Sequence, residues 1–122
     1  MSRSKEVRMA QVLNIHSALD MLGGDKDLLK ELLTSFVTDK PFDRQKLIAL
    51  EQQQDTEEAA KYVHLFKGAG RQLGAECLGE SGQALEDVLR GKKPGVVPEL
   101  TRQFVSDYEL ALAAVKDALE IL

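Results

Sequence analysis

Apolar residues recur along this chain at three- and four-residue intervals almost throughout, and no stretch alternates long enough to predict a strand. The clearest stripe comes last. Leu100, Phe104, Tyr108, Leu112, Val115 and Leu119 predict an amphipathic helix opened by Pro98, and at 1.5 Å per residue it spans about 35 Å. Before it, Leu78, Gly82, Leu85 and Leu89 make the stripe of a shorter helix, with Gly91 as its end and 92–95 as a loop. Asp55-Thr56-Glu57-Glu58 has the spacing of a capping box with Asp55 in the cap role, opening a helix that runs until Gly74. Towards the N-terminus, Asn14 caps a short helix through Leu22, Gly23-Gly24 stops it, and Asp25 caps the next to about Asp39. Pro41 fits the first turn of a third helix. Six helical segments predict an all-α fold, an antiparallel (up-down) four-helix bundle with short additional N-terminal helices.

At 122 residues the chain is one domain's worth. We expect 1–11 to be a poorly ordered tail and 12–122 to be the bundle. Acidic residues number 20 against 16 basic, a net charge of -4 that disfavours nucleic acid or anionic membrane as the main partner. No apolar run approaches the ~20 residues that span a bilayer, and Met1 to Arg8 lacks the apolar core of a leader. Cys77 is the only cysteine, so no intramolecular disulfide forms, which suits a reducing compartment. The expected location is the cytoplasm.

Candidate chemistry concentrates in the helix that carries His64. Positions three, four and seven beyond His64 return to its side of a helix, and these are Lys67, Gly68 and Arg71. Ala59, Tyr62, Phe66, Ala69 and Leu73 gather opposite, as the side that packs into a core. His64 therefore faces outward among cations, on a face able to hold an anion. Glycine inside a helix costs roughly 1 kcal/mol against alanine, and Gly68, one turn beyond the imidazole, clears space beside it. Lys61 reads as part of a solvated face paired with Glu57 and Glu58, and His16 as a surface residue. Gly70 reads as a point of close helix approach, and Cys77 as a small, at least half-buried residue. Glu86 and Arg90, four apart, pair with each other, while the Gln83 amide is a candidate to orient the imidazole.

Neither G-x-x-x-x-G-K-[ST] nor a kinase glycine loop occurs, so the chain is not expected to bind ATP by those routes or phosphorylate itself. The absence of H-E-x-x-H and C-x-x-C pairs argues against a metal site.

His64-Leu65-Phe66-Lys67-Gly68 followed by Leu73-Gly74-Ala75 resembles the H-x-L-K-G…L-G-A signature of histidine-containing phosphotransfer (HPt) domains. Leu22-Gly23-Gly24-Asp25 with Leu28, Leu29, Leu32, Leu33 and Phe36 resembles the family's G-D…L…F helix, and Leu85-Glu86 falls where its L-E pair usually does. The resemblance covers nearly the whole chain. It implies a phosphorelay intermediate rather than an enzyme with its own turnover. His64 would accept a phosphoryl group from a receiver-domain aspartate and pass it to another, Lys67 would offset phosphoryl charge, and Gly68 would keep access open. The implied partners are response-regulator receiver domains and a hybrid sensor histidine kinase, with Mg²⁺ and the acidic pocket supplied by the receiver. We expect a monomer that itself carries no cofactor. Leu65, roughly a quarter turn from His64, is the best candidate for an apolar docking patch.

The chain departs from the family pattern at Phe66 for leucine, Val63 for alanine, Arg71 for a small residue and Gln72 for asparagine. Arg71 is placed either to contact the phosphoryl group or the partner's acidic site, or to obstruct docking. The alternative to the relay is a non-phosphorylated helical adaptor that binds receiver domains or other signalling proteins.

Overall fold

Side-chain caps fix where the first helices begin in the computed structural model, which describes residues 12–39 and 41–122. Asn14 accepts from the Ser17 N–H at 3.0 Å and opens α1 (Ile15–Met21). Asp25 accepts from Leu28 at 3.0 Å and opens α2 (Lys26–Thr38). Asp43 accepts from both Gln45 and Lys46 and opens α3 (Arg44–Gln52). Asp55 accepts from Glu58 at 3.3 Å and opens α4 (Thr56–Gln72). Two more helices, α5 (Glu76–Leu89) and α6 (Val97–Ile121), follow, and no strand occurs among the described residues. The expected tail, 1–11, lies outside the described residues.

Helix α3 starts later than its proline suggested. Pro41 stands before the cap rather than in the first turn, because Phe42 is drawn into an aromatic cluster. Its ring centroid lies 5.1 Å from Phe66, 5.5 Å from Phe104 and 5.1 Å from Tyr108. The Tyr62 hydroxyl accepts from the Asp43 N–H at 2.9 Å, and that of Tyr108 accepts from the Phe42 N–H at 3.3 Å. Those bonds and rings hold the 41–43 link against α4 and α6, so the helix waits for Asp43.

One core joins the helices. Leu29 and Leu33 of α2, Leu47 of α3, Val63 of α4, Leu78 and Leu85 of α5, and Phe104 and Val115 of α6 are fully buried. Each such side chain favours the folded state by about 1.5–3 kcal/mol, before chain entropy is set against it. Helix α5 packs on both α4 and α6, while α6 also packs on α2. The approach of α5 to α4 is close because a Cβ at Gly70 would sit 2.7 Å from the Leu78 side chain, as its sequence position suggested.

Of the residues with left-handed backbone, two glycines close the ends of α4 and α5. Gly74, at φ +75°, reverses the chain between α4 and α5, and Gly91, at φ +74°, ends α5. They differ in surroundings. The Gly74 carbonyl accepts from the Asn14 N–H at 2.8 Å, and a Cβ on Gly74 would run into the Asn14 carbonyl oxygen, whereas one on Gly91 would meet nothing within 4 Å. Gly91→Ala should therefore cost only the left-handed backbone penalty of about 1–2 kcal/mol. Gly74→Ala should cost more than Gly91→Ala in urea denaturation, since it also displaces the Asn14 strap; equal losses would show the strap to be unimportant.

Candidate functional site

Helix α4 is covered on two sides. The aromatic cluster covers Tyr62 and Phe66, while α5 covers the side that carries Lys67 and Gly70. The buried face is therefore wider than the stripe suggested and takes in Ala60, Val63, Lys67 and Gly70, with Tyr62 and Ala69 only half-buried. His64 remains outward, its side chain 60 % exposed. Lys67 does not share that exposure. Its side chain is 7 % exposed, a correction to the expectation of an outward-facing lysine. A buried ammonium needs a partner, and this one donates to Glu86 Oε1 at 2.7 Å and to Gln83 Oε1 at 3.1 Å.

Glu86 is the centre of the site, where its four-residue spacing predicted a pair with Arg90 on a helix beside that of His64. That pair exists, with Arg90 Nε donating to Glu86 Oε2 at 2.9 Å. The same carboxylate, 8 % exposed, also reaches across to α4 and stands 3.1 Å from His64 Nδ1 through each oxygen. Burial alone would push the Glu86 carboxyl up. The hydrogen bonds from Lys67, Arg90 and His64 outweigh it and hold the group down to about 2. An ionised carboxylate only accepts, so His64 Nδ1 carries the ring proton and donates it to Glu86. In the neutral ring Nε2 then keeps its lone pair, and it meets no hydrogen-bond partner among the described residues.

Gly68 adjoins open space, since a Cβ there would meet nothing within 4 Å. The Gln83 amide does not reach the imidazole; it accepts from Lys67 and donates to Asp87 at 2.8 Å, so the orienting bond comes from Glu86 instead. Arg71 is exposed and lies along α5 over Gly79, whose added Cβ would come within 2.9 Å of the arginine side chain. Leu65 is 55 % exposed and borders a shallow groove of about 190 Å³ between α2 and α4, with Leu32, Phe36 and Ala69 among its lining. Lys61 pairs with Glu57 and Glu58, and the exposed His16 lies near Asp20. A larger cavity, about 710 Å³, lies between α3 and α6 and touches none of His64, Lys67 or Glu86. Sequence periodicity gave no sign of Glu86's reach across to α4; the L-E pair was the one available signal.

The folded Glu86 carboxyl keeps its charge down to about 2, whereas an unfolded one takes a proton near 4.5. Between those values the folded state binds fewer protons, so this contribution is complete above pH 4.5 and is lost as pH falls towards 2. It amounts to roughly 3 kcal/mol at most, because Arg90 and His64 are partly exposed to water. In acid titration followed by urea denaturation, Glu86→Gln should remove this part of the wild-type decline. A decline of unchanged size in the variant would place its origin elsewhere.

A family model, the Hpt domain, matches residues 31–120, while no curated protein and no solved structure matches. The matched span includes His64, Lys67, Gly68 and Glu86. Hpt domains carry phosphoryl groups in two-component signalling without an ATP site of their own and interact there with receiver domains and kinases. None of the described helices is long and apolar enough to cross a membrane. With nearly three quarters of its length matched, the chain belongs to the Hpt domain family.

Proposed function

We propose that this protein is a phosphorelay intermediate in which His64 accepts a phosphoryl group on Nε2 from a receiver-domain aspartyl phosphate and delivers it to the aspartate of another receiver. The observation that carries this reading is an exposed imidazole whose Nδ1–H is bound by a buried carboxylate. In the accepting step the Nε2 lone pair attacks phosphorus in line. The N–P bond forms as the P–O bond to aspartate breaks, and the carboxylate leaves with the electron pair. The ring gains positive charge as it gives up the lone pair, and that charge is shared with Nδ1–H, which points at Glu86. Delivery is the reverse, with the second aspartate as nucleophile. Mg²⁺ for both steps belongs to the receiver.

Positioning supports the same reading. Phosphoryl transfer depends on alignment and charge more than on covalent chemistry, and the Glu86 bond limits ring rotation before a partner arrives. Lys67, fixed against Glu86, adds positive charge from beneath the surface. The open space at Gly68 lets a partner's active site approach the ring. Leu65 and the groove beside it give an apolar contact next to the histidine. An antiparallel arrangement of α2, α4, α5 and α6 belongs to this proposal; it is supported by the single reversal at Gly74 between α4 and α5 and by the packing of α6 on α5 and α2. We place the protein, as a monomer, in the cytoplasm with its partners.

Incubation with a phosphorylated receiver domain, or with phosphoramidate, should give an acid-labile adduct of one phosphoryl group by intact mass in wild type and none in His64→Gln. Folded protein that takes phosphate from neither donor would overturn the relay and leave the adaptor. Gly68→Gln separates access from folding. It should leave stability unchanged or raise it by up to about 1 kcal/mol, while slowing transfer from the receiver about tenfold. Leu65→Ala should slow transfer from the receiver but not from phosphoramidate, and a wild-type rate of transfer from the receiver would remove Leu65 from the docking surface.

A further inference from the structure

The Glu86 carboxylate faces two cations and an imidazole, and only one of the cations lies in the motif that carries the family resemblance. Lys67 bonds Oε1 at 2.7 Å; Arg90, 32 % exposed, bonds Oε2 at 2.9 Å through Nε. His64 Nδ1 stands 3.1 Å from that same Oε2. The two bonds through Oε2 put Arg90 Nε no more than about 6 Å from the ring nitrogen. Arg90 is the C-cap residue of α5, one turn beyond Glu86, where the helix end favours a positive charge.

As a rule, a carboxylate beside an imidazole favours the imidazolium, which has no lone pair with which to attack phosphorus. Cations bound to the carboxylate oppose that protonation. Other charges around the site are already answered: Lys61 on α4 is held by Glu57 and Glu58, Asp87 on α5 by Gln83 and Lys93, and Asp107 on α6 by Gln103. Lys67 and Arg90 are the two cations bonded to Glu86 among the described residues. Arg71, which the helical wheel placed on the histidine's face, lies over Gly79 instead.

We propose that Arg90 is a positioning residue of the phosphotransfer site: by neutralising Glu86 through its second oxygen, it keeps His64 singly protonated at Nδ1 and nucleophilic at Nε2. The proposal rests on the reading of His64 as phosphoacceptor, but the charge control it describes is measurable without phosphate. Arg90 touches neither the phosphoryl group nor the partner in this account; it acts through Glu86.

The test compares Arg90→Gln, Arg90→Lys and Arg71→Gln with wild type in the full chain. With phosphoramidate as donor, the rate of phosphohistidine formation is followed by intact mass from about pH 5.5 to 8.5, across the range where imidazoles titrate. The His64 ring signals are followed by NMR over the same range. Arg90→Gln should move the acid limb of the rate profile and the ring titration together to higher pH by about half a unit, a roughly threefold loss of rate on that limb. Arg90→Lys should restore most of the loss, and Arg71→Gln should leave both profiles in place. Urea midpoints control for folding, since a purely structural role would lower stability without moving the ring titration. Superimposable profiles for wild type and Arg90→Gln would overturn the proposal. If wild type takes up no phosphate, the phosphoacceptor reading fails, and the ring titration alone decides: a shift in Arg90→Gln upholds the control of ring charge by Arg90, and no shift overturns it.

Discussion

The site depends on one buried carboxylate shared between two helices. Glu86 belongs to α5, yet two of the groups it binds, His64 and Lys67, belong to α4. An unpaired carboxylate at that depth would cost several kcal/mol and would take up a proton instead. Three donors keep it charged, and each is constrained in return. The imidazole has its tautomer set, the lysine is held under the surface, and the arginine is folded back along its own helix. Fold stability and the orientation of the reactive ring therefore depend on the same contacts.

That sharing requires α4 and α5 to run close together, and side-chain size permits it. Gly70 admits Leu78, while a Cβ on Gly82 would come within 2.9 Å of Lys67 and 3.1 Å of Phe104. The lysine stem lies across α5 at Gly82, which directs its ammonium along the helix towards Gln83 and Glu86. A larger residue at position 82 would push Lys67 away and leave Glu86 short of a partner. The turn at Gly74 sets where α5 begins, and the bond from Asn14 fastens the start of the domain to that turn. Sequence features some distance from His64 in the chain thus bear on how its ring is held.

Much of this was legible in the sequence because it is local. Caps at Asn14, Asp25 and Asp55 are encoded within three residues, and the stripe of α6 is a matter of period. Pro41 misled because its fit to a first helical turn took no account of Phe42, whose ring partners lie on α4 and α6. Lys67 misled for a related reason. A helical wheel drawn for one covering neighbour puts it outside, and the second neighbour, α5, puts it inside. The Glu86–His64 bond spans 22 residues and two helices, so no spacing rule within one helix could reveal it. Arg71 was a candidate by helical spacing, and Gln83 as an amide on the neighbouring helix. Tertiary packing turned the amide towards Lys67 and Asp87 and the arginine over Gly79.

The most direct test of the account is the protonation of the His64 ring itself, read from its two ¹⁵N chemical shifts at neutral pH and again after treatment with phosphoramidate. A proton on Nδ1 and a bare Nε2 are expected before treatment, and phosphorus coupled to Nε2 afterwards, with Nδ1 still bonded to Glu86. A proton on Nε2 in the resting protein, or phosphorus on Nδ1, would contradict it.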